Sequence, residues 1–177
     1  MIGRPAAAAE AQVGELELQL ADFFAEHYER LVRLAGLICH TPASVEDAVQ
    51  VALEQAWRRR HSLRDVSLIR PWLDQIVVRE AIRLNKRPWW SRLQRASDSE
   101  LVQFPDRRIN VDASVVALTV AFRALPPVQR AAVALHLYAG YSVEETARLM
   151  SASIETTRSR LRLARQRLRR ELAEDRT

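Results

Sequence analysis

From Leu18 to Cys39 the apolar residues fall at Leu20, Phe23, Phe24, Tyr28, Leu31, Leu34, Ala35 and Ile38, with acids and arginines between them. Only a helix turns residues three and four apart to one side, so this spacing commits the segment to one long amphipathic helix. The same period returns along the chain, with little of the two-residue alternation that a half-buried strand needs. Four glycines in 177 residues and an abundance of Ala, Leu, Arg and Glu point the same way, and the expected fold class is all-α. At 48% hydrophobic residues, the chain can bury one medium core or two small ones.

Its breaks divide the chain. Residues 1–15 read as a disordered lead-in. HTPAS ends the first helix, and Ser44 with Asp47 three residues on forms a capping-box-like start for a second, running to about Arg60. The apolar side of that helix is Val45, Ala48, Val49, Ala52 and Ala56, with Trp57 at the end. HSLRDVSLIR reads as a polar loop, and Pro71 suits the first turn of a third helix through Trp72, Leu73, Ile76, Val77 and Leu84. Trp57 and Trp72 lie on apolar faces, which favours core packing over the alternative of stacking on the bases of a single strand. Residues 16–87 thus make one helical domain. Residues 88–112 carry two prolines and no sustained period, and they are long for a loop inside a compact domain. They read as a flexible linker to a second helical domain, 113–173, with the adjacent Trp89 and Trp90 offering one interface candidate.

In the second domain, a helix from Val115 to Leu125 is broken at Pro126 and Pro127 and restarts from Val128 to Ala139. Gly140 suits the left-handed position after a helix end, and Ser142 with Glu145 makes a Ser-x-x-Glu capping box. A short helix then runs to about Met150, SAS makes a tight turn, and Ser153 caps a long helix. This is the outline of a helix-turn-helix, whose second helix enters the major groove. On a 3.6-residue wheel Ile154, Thr157, Leu161, Ala164, Leu168 and Leu172 face inward. Glu155, Thr156, Ser159, Arg162, Leu163 and Gln166 lie opposite, with Arg158 on one flank and Arg160 and Arg167 on the other. Seven arginines fall between Ser153 and Leu172. Those near the helix start suit base edges, Leu163 suits a thymine methyl, and Arg165, Arg169 and Arg170 suit backbone phosphate.

The formal charge of +5 is uneven, with acids crowding the first third of the chain. A basic end of this kind is the footprint of a nucleic-acid binder. A second basic strip, Arg79, Arg83, Lys86 and Arg87, joins Arg58, Arg59, Arg60, His61 and Arg64 around the preceding loop, a set suited to a single strand. Cys39 stands alone, which rules out an intrachain disulfide and a cysteine zinc cluster and fits a reducing cytoplasm. The four histidines His27, His40, His61 and His136 lack metal-ligand spacing, and no phosphate loop, metalloprotease motif or serine triad signature is present. No catalytic residue, metal or cofactor is called for. The start lacks a signal-peptide core, and no segment approaches the ~20 apolar residues of a membrane span.

Three stretches together resemble the extracytoplasmic-function (ECF) sigma factors, the two-domain specificity subunits of bacterial RNA polymerase in the sigma-70 family. VEDAVQVALEQAW (Val45 to Trp57) is similar to the family's acidic D-x-x-Q helix ending in Ala-Trp. PWLDQIVVREAIRLNKR (Pro71 to Arg87) is similar to its Pro-Trp-Leu helix, and LPPVQRAAVALHLYAGYSVEETARLMSASIETTRSRLRLARQRL to its closing region. The resemblance implies a sigma subunit that binds core polymerase at the clamp helices and flap and recognises minus-10 and minus-35 promoter elements. Clamp docking then falls to Asp47, Gln50, Glu54 and Arg58. Minus-10 capture falls to Arg60, His61, Ser62, Arg64, Arg79 and Arg83, and minus-35 reading to Ser153, Thr156, Arg158, Ser159, Arg162 and Leu163. The chain would be a cytoplasmic monomer when free, with an anti-sigma factor as a further partner to look for. It departs from the family pattern at Val51, where an acid is usual, and at Ala52-Leu53, a pair that usually ends in Phe. Arg79 stands where many members have Asn, and Ser151 replaces the usual turn glycine. The rival reading is a free-standing helix-turn-helix repressor or activator, which normally needs a dimer.

Overall fold

The computed structural model describes residues 5–63, 65–85 and 113–174. Among these every regular element is helical: α1 (Pro5–Ile38), α2 (Pro42–Arg58), α3 (Ile69–Asn85), α4 (Ala113–Ala124), α5 (Pro127–Val133), α6 (Val143–Leu149) and α7 (Ile154–Glu174). The segment expected to be a disordered lead-in is helical from Pro5, because PAAAAEAQ combines proline at a helix start with the strongest helix formers. The expected linker lies outside the described residues, as do Arg64, Trp89 and Trp90.

Helix α2 starts two residues before the expected cap. Thr41, not Ser44, is the N-cap: its hydroxyl accepts the Ser44 backbone N–H at 3.2 Å, and Pro42 takes the first helical position, where its missing N–H costs nothing. Val45, Ala48, Val49, Ala52 and Ala56 are all buried, as the spacing requires. Trp57 is not. It remains 41% exposed on the flank of the last turn, and the Arg60 guanidinium lies 5.0 Å from its ring centre. Trp72 is half-buried against the core. The expected polar loop is two single 3₁₀ turns, Arg60–Ser62 and Val66–Leu68, tied down because Leu63 and Ile69 are buried with Leu20.

Helices α1, α2 and α3 form a three-helix unit, while α4 to α7 form a second around α7. The two units meet. Ala131, Ala134, Leu135 and Leu149 belong to the same buried cluster as Leu31, Leu34, Ile38, Val77 and Val78. After α5 the backbone widens into a π turn, Ala134–Tyr138, and Gly140 at φ 81° reverses the chain. That reversal delivers Tyr141 to Asp74. Asp74 is fully buried on α3; it accepts two hydrogen bonds from Arg30 of α1, at 2.6 and 3.0 Å, and one from the Tyr141 hydroxyl at 2.8 Å. Burial, then the Asp74 carboxylate, push the Tyr141 phenol well above its ordinary pKa and keep it a donor. A second buried charge, Arg130 of α5, donates to the carbonyls of Ile38 and Arg123 and rests on His40 at 2.9 Å.

Two outcomes follow from this packing. Urea unfolding is expected to show Asp74→Ala less stable by about 3–5 kcal/mol, since it leaves a mostly buried guanidinium unpaired, and Tyr141→Phe by only ~1 kcal/mol. Cys39 is buried, and burial pushes its thiol up to about 11. At neutral pH it is therefore almost wholly protonated, and iodoacetamide should label it rapidly only after unfolding; fast labelling of the native chain would contradict the packing.

Candidate nucleic-acid interface

Each helix of the helix-turn-helix starts at its own side-chain cap. Ser142 Oγ accepts the Glu145 N–H at 3.1 Å, and Glu145 Oε2 accepts the Ser142 N–H at 2.8 Å, a complete capping box that starts α6. The backbone bond from Ser142 holds the Glu145 carboxyl below its usual range. After α6 the chain turns through Met150, Ser151 and Ala152, with the Ala152 N–H donating to Ala147 O at 2.9 Å. Ser151 has φ 49°, the one positive value at a non-glycine among the described residues. A side chain there costs roughly 1–2 kcal/mol. Ser153 then caps α7 by accepting the Thr156 N–H at 3.1 Å.

The wheel of α7 falls as the spacing requires. Thr157 and Ala164 are buried, and Ile154, Leu161, Leu168 and Leu172 are half-buried. Glu155, Thr156, Arg158, Arg162, Leu163 and Gln166 are exposed on the other side, with Ser159 half-buried. Ser153, Thr156, Arg158, Ser159, Arg162 and Leu163 thus share the outer side of the first turns. Arg158 carries lateral partners that the spacing of α7 alone does not reveal: Glu144 of α6 at 3.4 Å, besides Glu155 at 3.6 Å. Both pairs are exposed and worth little, so phosphate or a base edge can replace them. Arg167 on the flank donates to Gln129 at 3.3 Å.

Beside this face lies a groove that the sequence reading missed. About 420 Å³ in volume, it has an apolar floor of Leu118, Val133, Leu137 and Leu161 and a rim that includes Arg162 and Arg165. Leu137, 69% exposed, is displaced outward by the π turn, whose extra residue no periodic pattern announces.

On the first unit, Asp47, Gln50, Glu54 and Arg58 are all exposed, at spacings of three and four residues along the side of α2 opposite its buried alanines. Gln50 donates to Glu54 at 3.5 Å, and Glu54 pairs with Arg58 at 3.8 Å. The minus-10 candidates are more scattered. Arg60 folds back on Trp57, donating to its carbonyl at 2.9 Å. His61 and Ser62 are exposed in the same 3₁₀ turn. Arg79 and Arg83 are exposed one turn apart on α3. Arg83 donates to Glu80 at 2.6 Å, and Glu80 also accepts from Gln55 at 2.8 Å. Arg79 donates to the Ser151 hydroxyl of the second unit.

A helical unit with a polar outer face on α2 is thus joined in one chain to a capped helix-turn-helix. Residues 23–91 match the Sigma-70 region 2 family, and residues 116–168 match Sigma-70, region 4. The chain is 34% identical over 153 residues to the ECF RNA polymerase sigma factor SigM of Mycobacterium tuberculosis, spanning 83% of this chain and 74% of that one. It is 27% identical over 163 residues to the RNA polymerase sigma-E factor of Streptomyces coelicolor, spanning 90% and 89%. The fold is shared with the sigma factor RpoE of Bartonella quintana, solved in complex with the anti-sigma factor NepR, at a TM-score of 0.65 and 24% identity over 93% of this chain and 98% of that one. CnrH, solved with the cytosolic domain of CnrY, superposes at 0.60 with 22% identity over 88% of each chain. The chain belongs to the extracytoplasmic-function sigma factors, and it is a promoter-specificity subunit of RNA polymerase.

The capping box makes a pH-dependent outcome. The Glu145 carboxyl is depressed in the fold, so its contribution is complete above the ordinary glutamate range and disappears as pH falls through the lowered value. The stability gap between the native chain and Glu145→Ala should therefore be present at neutral pH and close in acid, as read by thermal unfolding across that range. A gap that widens in acid would show that the carboxylate does not cap α6.

Proposed function

We propose that the chain directs initiation by dividing three contacts among three faces. Asp47, Gln50, Glu54 and Arg58 dock on the polymerase clamp helices. Arg60, His61, Ser62, Arg64, Arg79 and Arg83 hold the minus-10 strand. Ser153, Thr156, Arg158, Ser159, Arg162 and Leu163 read the minus-35 element in the major groove. The observation that carries this reading is the outer face of α7: short polar groups and arginines at the capped start of a helix whose other side is packed. Such a start presents donors to base edges while later arginines remain for phosphate.

The clamp reading draws support from the polar face of α2, where Asp47, Gln50, Glu54 and Arg58 are all exposed and Glu54 links Gln50 to Arg58. Flap contact falls to the apolar groove beside α7, whose exposed Leu137 gives a polymerase helix an apolar anchor. In this reading the functional units are 16–87 and 113–173, and the chain acts by binding alone, with no chemistry of its own. It works in the cytoplasm as a monomer until it meets polymerase; among the described residues no helix is long and apolar enough to cross a membrane. An anti-sigma factor belongs to the same reading, since the neighbouring RpoE is held by one.

The test is transcription from a promoter pool by sigma-free core polymerase with and without this chain. Discrete new start sites should appear only when it is added. Arg158→Ala and Arg162→Ala should each weaken minus-35 duplex binding by about 1–3 kcal/mol while leaving core binding intact. Asp47→Ala with Gln50→Ala should do the reverse. Unchanged duplex affinity in both arginine variants would take α7 out of the groove.

A further inference from the structure

One side-chain bond joins the minus-10 strip to the turn of the helix-turn-helix across the seam between the units. Arg79 of α3 donates to the side chain of Ser151 in the turn between α6 and α7. Ser151 holds a left-handed φ of 49°, where glycine would sit without strain and no other described non-glycine residue is found. The side chain that strains this turn also places a hydroxyl on the guanidinium of Arg79.

We infer that Ser151 is a clasp that parks Arg79 on the helix-turn-helix while the chain is closed, so that the minus-10 strip becomes complete only when the two units part. The inference rests on the role proposed above for Arg79. Around the clasp the seam is closed by further bonds between the units: Tyr141 to Asp74 at 2.8 Å, Arg33 to Tyr138 at 3.3 Å and Gln75 to the Arg148 carbonyl at 3.3 Å. Beneath them Ala131, Ala134, Leu135 and Leu149 join the apolar cluster of the first unit. Arg79 and Ser151 are themselves exposed, so their bond adds little to the closure; it decides what Arg79 touches within it.

Geometry makes the closed state incompatible with a promoter. Ser151 lies two residues before Ser153, the first of the minus-35 candidates, and it touches a minus-10 candidate directly. Two elements named minus-10 and minus-35 are separated by roughly 25 base pairs, on the order of 80 Å at about 3.4 Å per pair. One side chain bond cannot span that distance. Reading both elements at once therefore requires the seam to open, and opening breaks the Arg79–Ser151 bond. The clasp so couples the availability of a single-strand contact to the separation that a two-element promoter demands.

The test uses the full chain and a short fluorescein-labelled single-stranded DNA of mixed sequence. Ser151→Gly and Ser151→Ala both remove the hydroxyl, and each should tighten binding of the strand by roughly two- to tenfold, the population shift given by loss of one modest hydrogen bond. The gain should vanish in an Arg79→Ala background, giving a coupled double-mutant cycle. Equal affinity in all three proteins, or a gain that survives Arg79→Ala, would overturn the clasp. A second arm pairs Gln75→Cys with Arg148→Cys, both lining the cleft between the units, and bridges them with a short bis-maleimide. With core polymerase, the bridged protein should lose initiation that the unbridged protein retains. Equal initiation by the two would overturn the closure argument alone, whereas an unbridged protein or native chain that never initiates would overturn the promoter reading and the clasp with it.

Discussion

The buried carboxylate of Asp74 is the point on which the arrangement depends. A lone charge in that position would be costly, because water is replaced by aliphatic surface on every side. It is tolerated because a bidentate guanidinium from α1 and a phenol from the second unit satisfy it together. Each partner fixes something different. Arg30 sets how α1 lies on α3, while Tyr141 sets how the second unit lies on both. The fold of each unit and the seam between them therefore share one acceptor. Residues of both units accordingly belong to one apolar cluster.

What the sequence made legible was whatever is decided within a few residues. Periodicity located the buried faces of α2 and α7, and local capping chemistry located the starts of α6 and α7. Gly140 announced its own left-handed turn. Errors of the same scale have the same local origin: Thr41 competes with Ser44 for the cap of α2, and Pro42 settles the matter because a proline is welcome at the first helical position and a cap must precede it. The alanine-rich start was misjudged because a lack of large apolar residues was taken for a lack of structure, when alanine itself favours helix.

What was illegible depends on residues far apart in the chain. Nothing near Arg130 indicates that its guanidinium will be buried against the last carbonyls of α1, ninety-two positions away from Ile38. Asp74 reads as one more polar residue on a helix until Arg30 and Tyr141 arrive from either side. Trp57 reads as core because it adjoins Ala56, yet one residue is a rotation of about 100° on a helix, enough to carry the ring to the rim. The π turn is hidden for a related reason. One extra residue in a turn leaves the composition unchanged and shifts the phase of everything after it, which is how Leu137 comes to face outward.

The arginines of α7 show how the same physics serves function. None of the seven is buried and five are exposed, so the fold spends little desolvation on them. Apart from Arg167, which donates to Gln129, the bonded ones pair at the surface with carboxylates such as Glu144 and Glu171, at distances above 3 Å, and pairs of this kind are worth at most ~1 kcal/mol. Seven like charges on twenty residues also repel one another, and that repulsion is relieved when a polyanion replaces the solvent. A helix capped by Ser153 and packed through Thr157 and Ala164 on its inner side can thus carry loosely committed cations on its outer side. Rigidity in the cap and looseness in the charge are separate requirements, and the two faces of the helix meet them separately.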